Sequence, residues 1–322
     1  MKNVLVSLPR PFLVLAPMDD VTETVFRRVV QNCAPADLMF TEFVNVDALC
    51  SAGRTAALRR LRYEKSEKPL IAQIWGKTPD NFRIVADQLV DMGFDGVDIN
   101  MGCPDKSVVK NGTGGGMIKY PDHALEVIRA TREGLAGRVP LSVKTRIGFN
   151  EYDEAWLRAI LGEKLNMLSI HFRTVKEMSK VPAHWELAGR VRELRDELSP
   201  DTLLVGNGDV QSYEQAVTLA NEYGYDGVMI GRGIFLDPFV FAKESPWPEL
   251  TPFSKVEIFK RHVRLFRETW QDGERPIAPL NKFCKIYVND FPGAKEYRVR
   301  LMSCASAEEL ESVVDQILGE LK

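Results

Sequence analysis

Short apolar runs in this chain end, one after another, in side chains able to do chemistry. The endings are Ala16-Pro17-Met18-Asp19, Gln73-Ile74-Trp75-Gly76, Asn100-Met101-Gly102-Cys103-Pro104, Lys144-Thr145-Arg146, His171-Phe172-Arg173-Thr174, Asn207-Gly208-Asp209 and Gly231-Arg232-Gly233. One such ending is a solubility feature; several on a common rim make a site. Cys103 stands beyond its run, beside Gly102 and Pro104, where a loop begins, and a thiol there is either a small packing hydrophobe or a reactive group. Lys144 suits a Schiff base, a cofactor contact or a rim charge. A histidine after a run, such as His171, is more often a structural residue than a ligand. Gly231-Arg232-Gly233 suits phosphate, because glycine admits close backbone approach while the following N–H groups and the arginine hold an anion. Gly112–Gly116 reads as a second phosphate nest or, with a phosphate site already present at the last run, as a flexible lid loop.

A scaffold must bring these endings together. Eight runs recur, at Phe12–Ala16, Leu38–Phe43, Leu70–Trp75, Gly96–Asn100, Leu141–Thr145, Met167–His171, Leu203–Gly206 and Gly227–Ile230. Each is nearly continuous in apolar residues, as strands buried on both faces are. Helical patterns lie between them: Asn81–Met92 carries Phe82, Val85, Ala86, Leu89 and Val90 on one face, and Ala124–Glu133 and Ser212–Tyr223 read similarly, with Ser212 as an N-cap. The alternation predicts an α/β protein, a (β/α)8 TIM barrel, whose chemistry sits at the C-terminal ends of the strands. An open doubly wound sheet is disfavoured because no Gly-x-Gly-x-x-Gly follows the first run. After Gly233 the pattern changes, and Pro246, Pro248 and Pro252 mark a boundary. Helical spacing over Phe253–Trp270 and Ala305–Leu321, the latter with a capping box at Ser306 and Glu309, predicts a small C-terminal all-helical domain. The expected division is a barrel over 1–245 and helices over 246–322.

Composition narrows the class. With 45% hydrophobic and 27% charged residues among 322, disorder is excluded. No apolar run approaches the ~20 residues that cross a bilayer, and no signal peptide is visible. Five cysteines without a Cys-x-x-Cys pair argue against a disulfide framework and a zinc site, so a reduced, cytoplasmic protein without a metal is expected, and separately a monomer. Net charge is −3, which excludes a globally basic nucleic-acid binder but not a basic patch. Lys255–Arg300 carries eleven Lys/Arg against six Asp/Glu, a local +5, whereas Leu301–Lys322 is −4. Such a stretch is a solvated helix face or a phosphate grip, according to whether the charges cluster in space.

Taken together, Ala16-Pro17-Met18, Thr41-Glu42, Gln73, Asn100-Met101-Gly102-Cys103-Pro104, Val143-Lys144-Thr145-Arg146, His171 with Arg173-Thr174, Asn207-Gly208-Asp209 and Gly231-Arg232-Gly233 make the chain resemble the tRNA-dihydrouridine synthase family over essentially its whole length. The resemblance implies a barrel bearing FMN, a helical domain that helps hold tRNA, and NADPH-dependent reduction of the uridine C5–C6 double bond. By that resemblance Cys103 is the acid that protonates C5 while flavin N5 delivers hydride to C6. Pro17, Met18 and Asp19 line the flavin, Gln73, Lys144 and His171 contact its ring or ribityl edge, and Asn207, Gly208, Asp209, Gly231 and Arg232 hold its ribityl-phosphate end. Asn100, Arg146 and Arg173 face the flipped uridine, and Lys282, Lys285 and Arg298 are the expected phosphate contacts of the helical domain.

The chain departs from the family pattern after the sixth run. Phe172 stands where glycine is usual, and Glu177, Ser179 and His184-Trp185 replace the common Gln, Tyr and Asp-Trp. An FMN-dependent oxidoreductase acting on a small-molecule pyrimidine shares the barrel and phosphate site, but the basic stretch disfavours it. A Schiff-base aldolase at Lys144 leaves Cys103 and Gln73 without roles, and an idle RNA-binding module leaves the whole catalytic set without one.

Overall fold

The computed structural model describes residues 3–271 and 273–322. Nine strands form, β1 (Phe12–Leu15), β2 (Leu38–Phe40), β3 (Val44–Asn45), β4 (Leu70–Trp75), β5 (Gly96–Met101), β6 (Leu141–Arg146), β7 (Met167–His171), β8 (Leu203–Asn207) and β9 (Gly227–Ile230). All pair in parallel, β1 with both β2 and β9, and β2 with β4, so the sheet closes on itself. β2 and β3 are two pieces of one stave. Met39 and Phe40 lie opposite Leu70 and Ile71, but Val44 and Asn45 lie opposite Ile74 and Trp75, so one extra residue is accommodated at Thr41–Phe43. The eight-stave barrel is as predicted; the continuous second run is not, because Glu42 is fully buried there and turns to partners outside the sheet.

Side-chain alternation sorts the strands into an outer and an inner set. Leu13, Leu15, Ile74, Val97, Ile99, Val143, Leu168 and Ile170 pack against the surrounding helices. Phe12, Val14, Leu38, Phe40, Ile71, Met167, Val205 and Met229 fill the lower barrel, with Leu5 closing the floor. Further up the same inward faces the residues become polar: Gln73 follows Ile71, Asn207 follows Val205, and His171 crowns Met167. The apolar floor therefore carries a polar layer at the C-terminal mouth.

The barrel helices form where the spacing predicts them, including Pro79–Asp91, Pro121–Leu135 and Tyr213–Tyr223, whose cap Ser212 accepts the Gln215 N–H. After the barrel come helices Pro252–Thr269, Ala278–Tyr287, Ala294–Met302 and Ala307–Glu320. The middle two are additional to the expected pair; prolines 279 and 292 punctuate them. They rest on the first barrel helix, Thr24–Cys33: Phe26 stacks on Phe283 at 4.7 Å, and Trp270 donates through Nε1 to Glu23 at 3.0 Å. Among the described residues no helix is long and apolar enough to cross a membrane.

Candidate active site

A cavity of about 620 Å³ opens at the C-terminal ends of the strands. Its lining brings together Pro17, Met18, Gln73, Asn100, Cys103, Lys144 and Arg146 from β1 through β6. His171, Arg173, Asn207, Gly208, Asp209, Gly231 and Arg232 complete it from β7 to β9. Asp19 is not in the lining; its carboxylate pairs with Arg60. Lys282, Lys285 and Arg298 lie on the C-terminal helices, away from the cavity lining.

The polar layer is a connected network. Asp98, fully buried in β5, accepts from Ser142 Oγ at 2.6 Å and from Gln73 Nε2 at 2.7 Å. Gln73 Oε1 then accepts from Asn100 Nδ2 at 3.2 Å. Asn100 Oδ1 in turn accepts the N–H groups of Gly102 at 3.1 Å and Cys103 at 3.0 Å. The cysteine backbone is thus tied to the barrel interior through three side chains. Asp98 was not singled out from the sequence, although its parity with Asn100 in an otherwise apolar strand marks an inward-facing acid. Burial pushes its carboxyl up to about 6, against the hydrogen bonds from Ser142 and Gln73.

Cations crowd the same layer. Burial, then the repulsion of Arg146, pushes Lys144 down to about 8, and its Nζ reaches Asn207 Oδ1 at 3.4 Å. Arg146 donates from Nε to Gly102 O at 2.8 Å and from Nη1 to the carbonyls of Thr174 and Met178 at 3.0 and 2.8 Å. Burial and the surrounding charges of Arg146, Lys144, Arg173 and Arg232 hold His171 well below the usual imidazole range. Arg173 Nη1 lies 3.1 Å from His171 Nε2, and a guanidinium can only donate. His171 is therefore neutral, with its proton on Nδ1. Burial raises the Cys103 thiol above its ordinary value, so it stays protonated at neutral pH.

The loops at the mouth are held from below. Gly114, Gly115 and Gly116 are buried, not a flexible lid. A Cβ on Gly115 would stand 2.8 Å from Val175 Cγ2, one on Gly116 2.7 Å from Val109 O, and the Gly115 N–H donates to Cys103 O at 3.0 Å. Close packing under the cysteine segment is what those glycines permit. Past β7, Phe172 is fully buried against Trp185, with ring centroids 4.8 Å apart, and Trp185 Nε1 donates to Gly208 O at 2.8 Å. A Cβ on Gly206 would meet Trp185 Cη2 at 2.5 Å. The departure at Phe172 therefore packs against Trp185, the tryptophan that the family pattern shares.

Beside the cavity, Glu42 accepts from Arg275 Nη1 and Nη2 at 3.0 and 2.8 Å and from Arg60 Nη1 at 3.1 Å. Asp19, Asp20 and Glu42 approach one another closely enough to hold a cation, but Arg60 and Arg275 already occupy that cluster. Arg275 carries the C-terminal segment to the barrel mouth. Thr41-Glu42 stood out in the sequence only as part of the family resemblance, and nothing there pointed to Arg275 as its partner.

The mouth suits an anionic, ring-bearing cofactor. A Cβ on Gly231 would meet only Ala16 Cβ at 3.7 Å and Met18 Sδ at 3.8 Å, so the space over this glycine is cavity rather than packed protein. Lys144, Arg146 and Arg232 supply positive charge around it, and Gln73 and Asn100 supply amides. These features make the mouth a cofactor site on a barrel scaffold, of the kind that a flavin's ring and phosphate fit.

The chain belongs to the dihydrouridine synthase family: the family profile, described as "Dihydrouridine synthase (Dus)", matches residues 14–322. A Staphylococcus aureus (strain COL) protein named "Probable tRNA-dihydrouridine synthase" is 45% identical over 323 residues, covering 99% of this chain and 97% of the relative. The Bacillus subtilis (strain 168) "Probable tRNA-dihydrouridine synthase 2" is 45% identical over 312 residues, 96% of this chain and 94% of the relative. Among solved structures, morphinone reductase in complex with tetrahydroNAD overlaps 76% of this chain and 91% of its own, at TM-score 0.49 and 15% identity, and carries no part of the assignment.

Proposed function

We propose that this chain is a tRNA-dihydrouridine synthase that binds FMN in the barrel mouth, takes reducing equivalents from NADPH and uses Cys103 as its proton donor. The observation that carries this reading is a protonated thiol at the edge of a cavity whose walls include cations, amides and glycines. Bound FMN, once reduced, supplies the hydride for C6 of the uracil ring. Pro17 and Met18 would line its site, with Asp19 next in the chain and turned to Arg60, while Gln73, Lys144 and His171 would face its ring or ribityl edge. Asn207, Gly208, Asp209, Gly231 and Arg232 would border its ribityl-phosphate end, with Arg232 meeting the phosphate and Asp209 orienting that arginine.

Cys103 Sγ gives its proton to C5. A thiol raised by burial is fully protonated at neutral pH, and the positive charge of Arg146 favours the thiolate left behind, until solvent returns a proton. Asn100 fixes the backbone from which Sγ projects. Arg146 and Arg173 border the space for a uridine taken out of its stack, which the open side of the cavity admits. The helices of 246–322 form the part that grips tRNA, with Lys282 and Lys285 exposed and free of ion pairs among the described residues. Arg298 supports them from within: its Nη1 donates to Val288 O at 2.8 Å. The protein works as a monomer in the cytoplasm.

Purified protein incubated with NADPH and unmodified tRNA tests this reading. Nucleoside mass spectrometry should show uridine gaining two hydrogens, and the released cofactor should be FMN. A flavin-loaded, NADPH-reducible protein that reduces free uracil or uridine but not tRNA would overturn it in favour of a small-molecule pyrimidine reductase.

A further inference from the structure

The two ring nitrogens of His184 each face a carboxylate. Nε2 lies 3.0 Å from Glu177 Oε1, and Nδ1 lies 2.9 Å from Glu186 Oε1. An ionised carboxylate only accepts, so both nitrogens donate and the ring is an imidazolium. A neutral imidazole can satisfy only one of the two.

What this cation closes is the loop after β7, residues 172–184. The His184 N–H donates to Phe172 O at 2.7 Å, joining the ends of the loop. Glu177 Oε2 accepts the Thr174 N–H at 2.7 Å. From the same loop, Thr174 O and Met178 O hold Arg146, and Val181 O accepts from Arg173 Nε at 2.5 Å. Arg146 passes the constraint on, through Nε to Gly102 O, the residue before Cys103.

We propose that His184 is a positioning residue: bridging Glu177 and Glu186, it locks the loop after β7 and, through that loop's carbonyls and Arg146, fixes the segment that carries Cys103. The other charged groups nearby are engaged elsewhere. Arg146 acts on Glu177 but is bound by carbonyls, Asp209 beyond Ala183 is paired with Arg173 and Arg232, and Tyr223 feels the charge of Glu186 without bonding to His184. The Glu177 hydrogen bond, opposed by partial burial and helped by Glu186, raises the His184 imidazolium above its ordinary range. A raised value in the folded state means the lock is complete below the ordinary imidazole value and is lost as pH rises through the raised one.

The reaction arm of this proposal rests on Cys103 as proton donor; the loop arm does not. Hydrogen exchange of the flavin-loaded full chain, corrected for intrinsic rates, reads the lock directly. In the wild type, protection of the amides in 174–184 should fall about tenfold as pH rises through the imidazole titration. His184→Gln should show the low protection at every pH, and His184→Arg, a permanent cation between the same carboxylates, the high protection at every pH. Oxidation of reduced flavin by tRNA near about pH 6 should be slowed roughly 3–10-fold in His184→Gln and restored in His184→Arg. Wild-type protection in His184→Gln at low pH would overturn the lock. Lost protection with unchanged oxidation would overturn its link to Cys103. Failure of the proton-donor reading shows separately, in the kinetics of a Cys103 variant.

Discussion

At the barrel mouth Lys144, Arg146 and His171 crowd together, and none of the three makes an ion pair among the described residues. In the C-terminal helices several cations are matched, with Lys282 and Lys285 left to solvent. Arg264 and Arg267 share Glu311, Lys260 reaches Asp315, and Arg300 pairs with Glu320. The histidines of the two regions differ in what surrounds them. His262 sits among Phe26, Phe283 and Tyr287, burial alone pushes it down to about 3, and its Nε2 has no partner. His171 is neutral because burial and neighbouring cations make it so, and it borders a cavity. Charges buried without a counter-ion are unfavourable in a fold, and their convergence on a cavity marks a place for an anionic ligand. Of the eleven cations of Lys255–Arg300, Lys260, Arg264, Arg267, Arg275 and Arg300 are paired and the other six carry no ion pair among the described residues, spread along the helices, whereas Lys144 and Arg146 converge on one cavity.

Filling the mouth should have the largest effect. In Gly231→Leu the side chain grows past its ordinary Cβ contacts into the cavity, so bound flavin should fall to near zero while thermal unfolding stays close to wild type. Visible absorbance per mole of protein checks this; full flavin content would place the cofactor elsewhere. The next effect tests the junction of the two regions. Arg275→Ala leaves the buried Glu42 with Arg60 as its one remaining cation, beside the Asp20 N–H, and should destabilise the protein by about 3 kcal/mol in urea unfolding.

Lys144→Met sharpens the contrast, because stability and activity should move in opposite directions. The folded value near about 8, against the ordinary 10.5, means the folded state bears a charging penalty below pH 8. Removing that charge should stabilise the fold by about 1–2 kcal/mol at neutral pH, discounted for the lysine's opening on the cavity. Wild-type stability rises as pH climbs from 8 towards 10.5, so the gap to the variant should close over that window. Turnover should fall roughly a hundredfold. The smallest effect belongs to the free surface cations: Lys282→Glu with Lys285→Glu should weaken tRNA binding several-fold and lower the salt slope by about 0.7–0.9 per lost contact, with flavin content unchanged.

The barrel was legible because its strands are buried on both faces and read as unbroken apolar runs, and its rim because polar residues end those runs. The break at Thr41–Phe43 was not, since Glu42 is buried by arginines far away in sequence. Helices Ala278–Tyr287 and Ala294–Met302 escaped because their stripes are short and lie between prolines. Gly112–Gly116 looked like a lid, for composition does not distinguish glycine used for mobility from glycine used for close approach; only Val109 and Val175 pressing on it make that distinction. Charge counts failed for a related reason. Whether Arg298 meets phosphate or the Val288 carbonyl depends on the fold, not on its neighbours in the chain.

Proton donation by Cys103 is tested most directly by rapid mixing of NADPH-reduced Cys103→Ala with unmodified tRNA. The variant should keep its flavin and be reduced by NADPH at nearly the wild-type rate. Flavin oxidation by tRNA should be slower by roughly two to four orders of magnitude, with poor rescue by serine, a far weaker acid. Oxidation at the wild-type rate in flavin-loaded Cys103→Ala would contradict the account and leave the thiol a packing group.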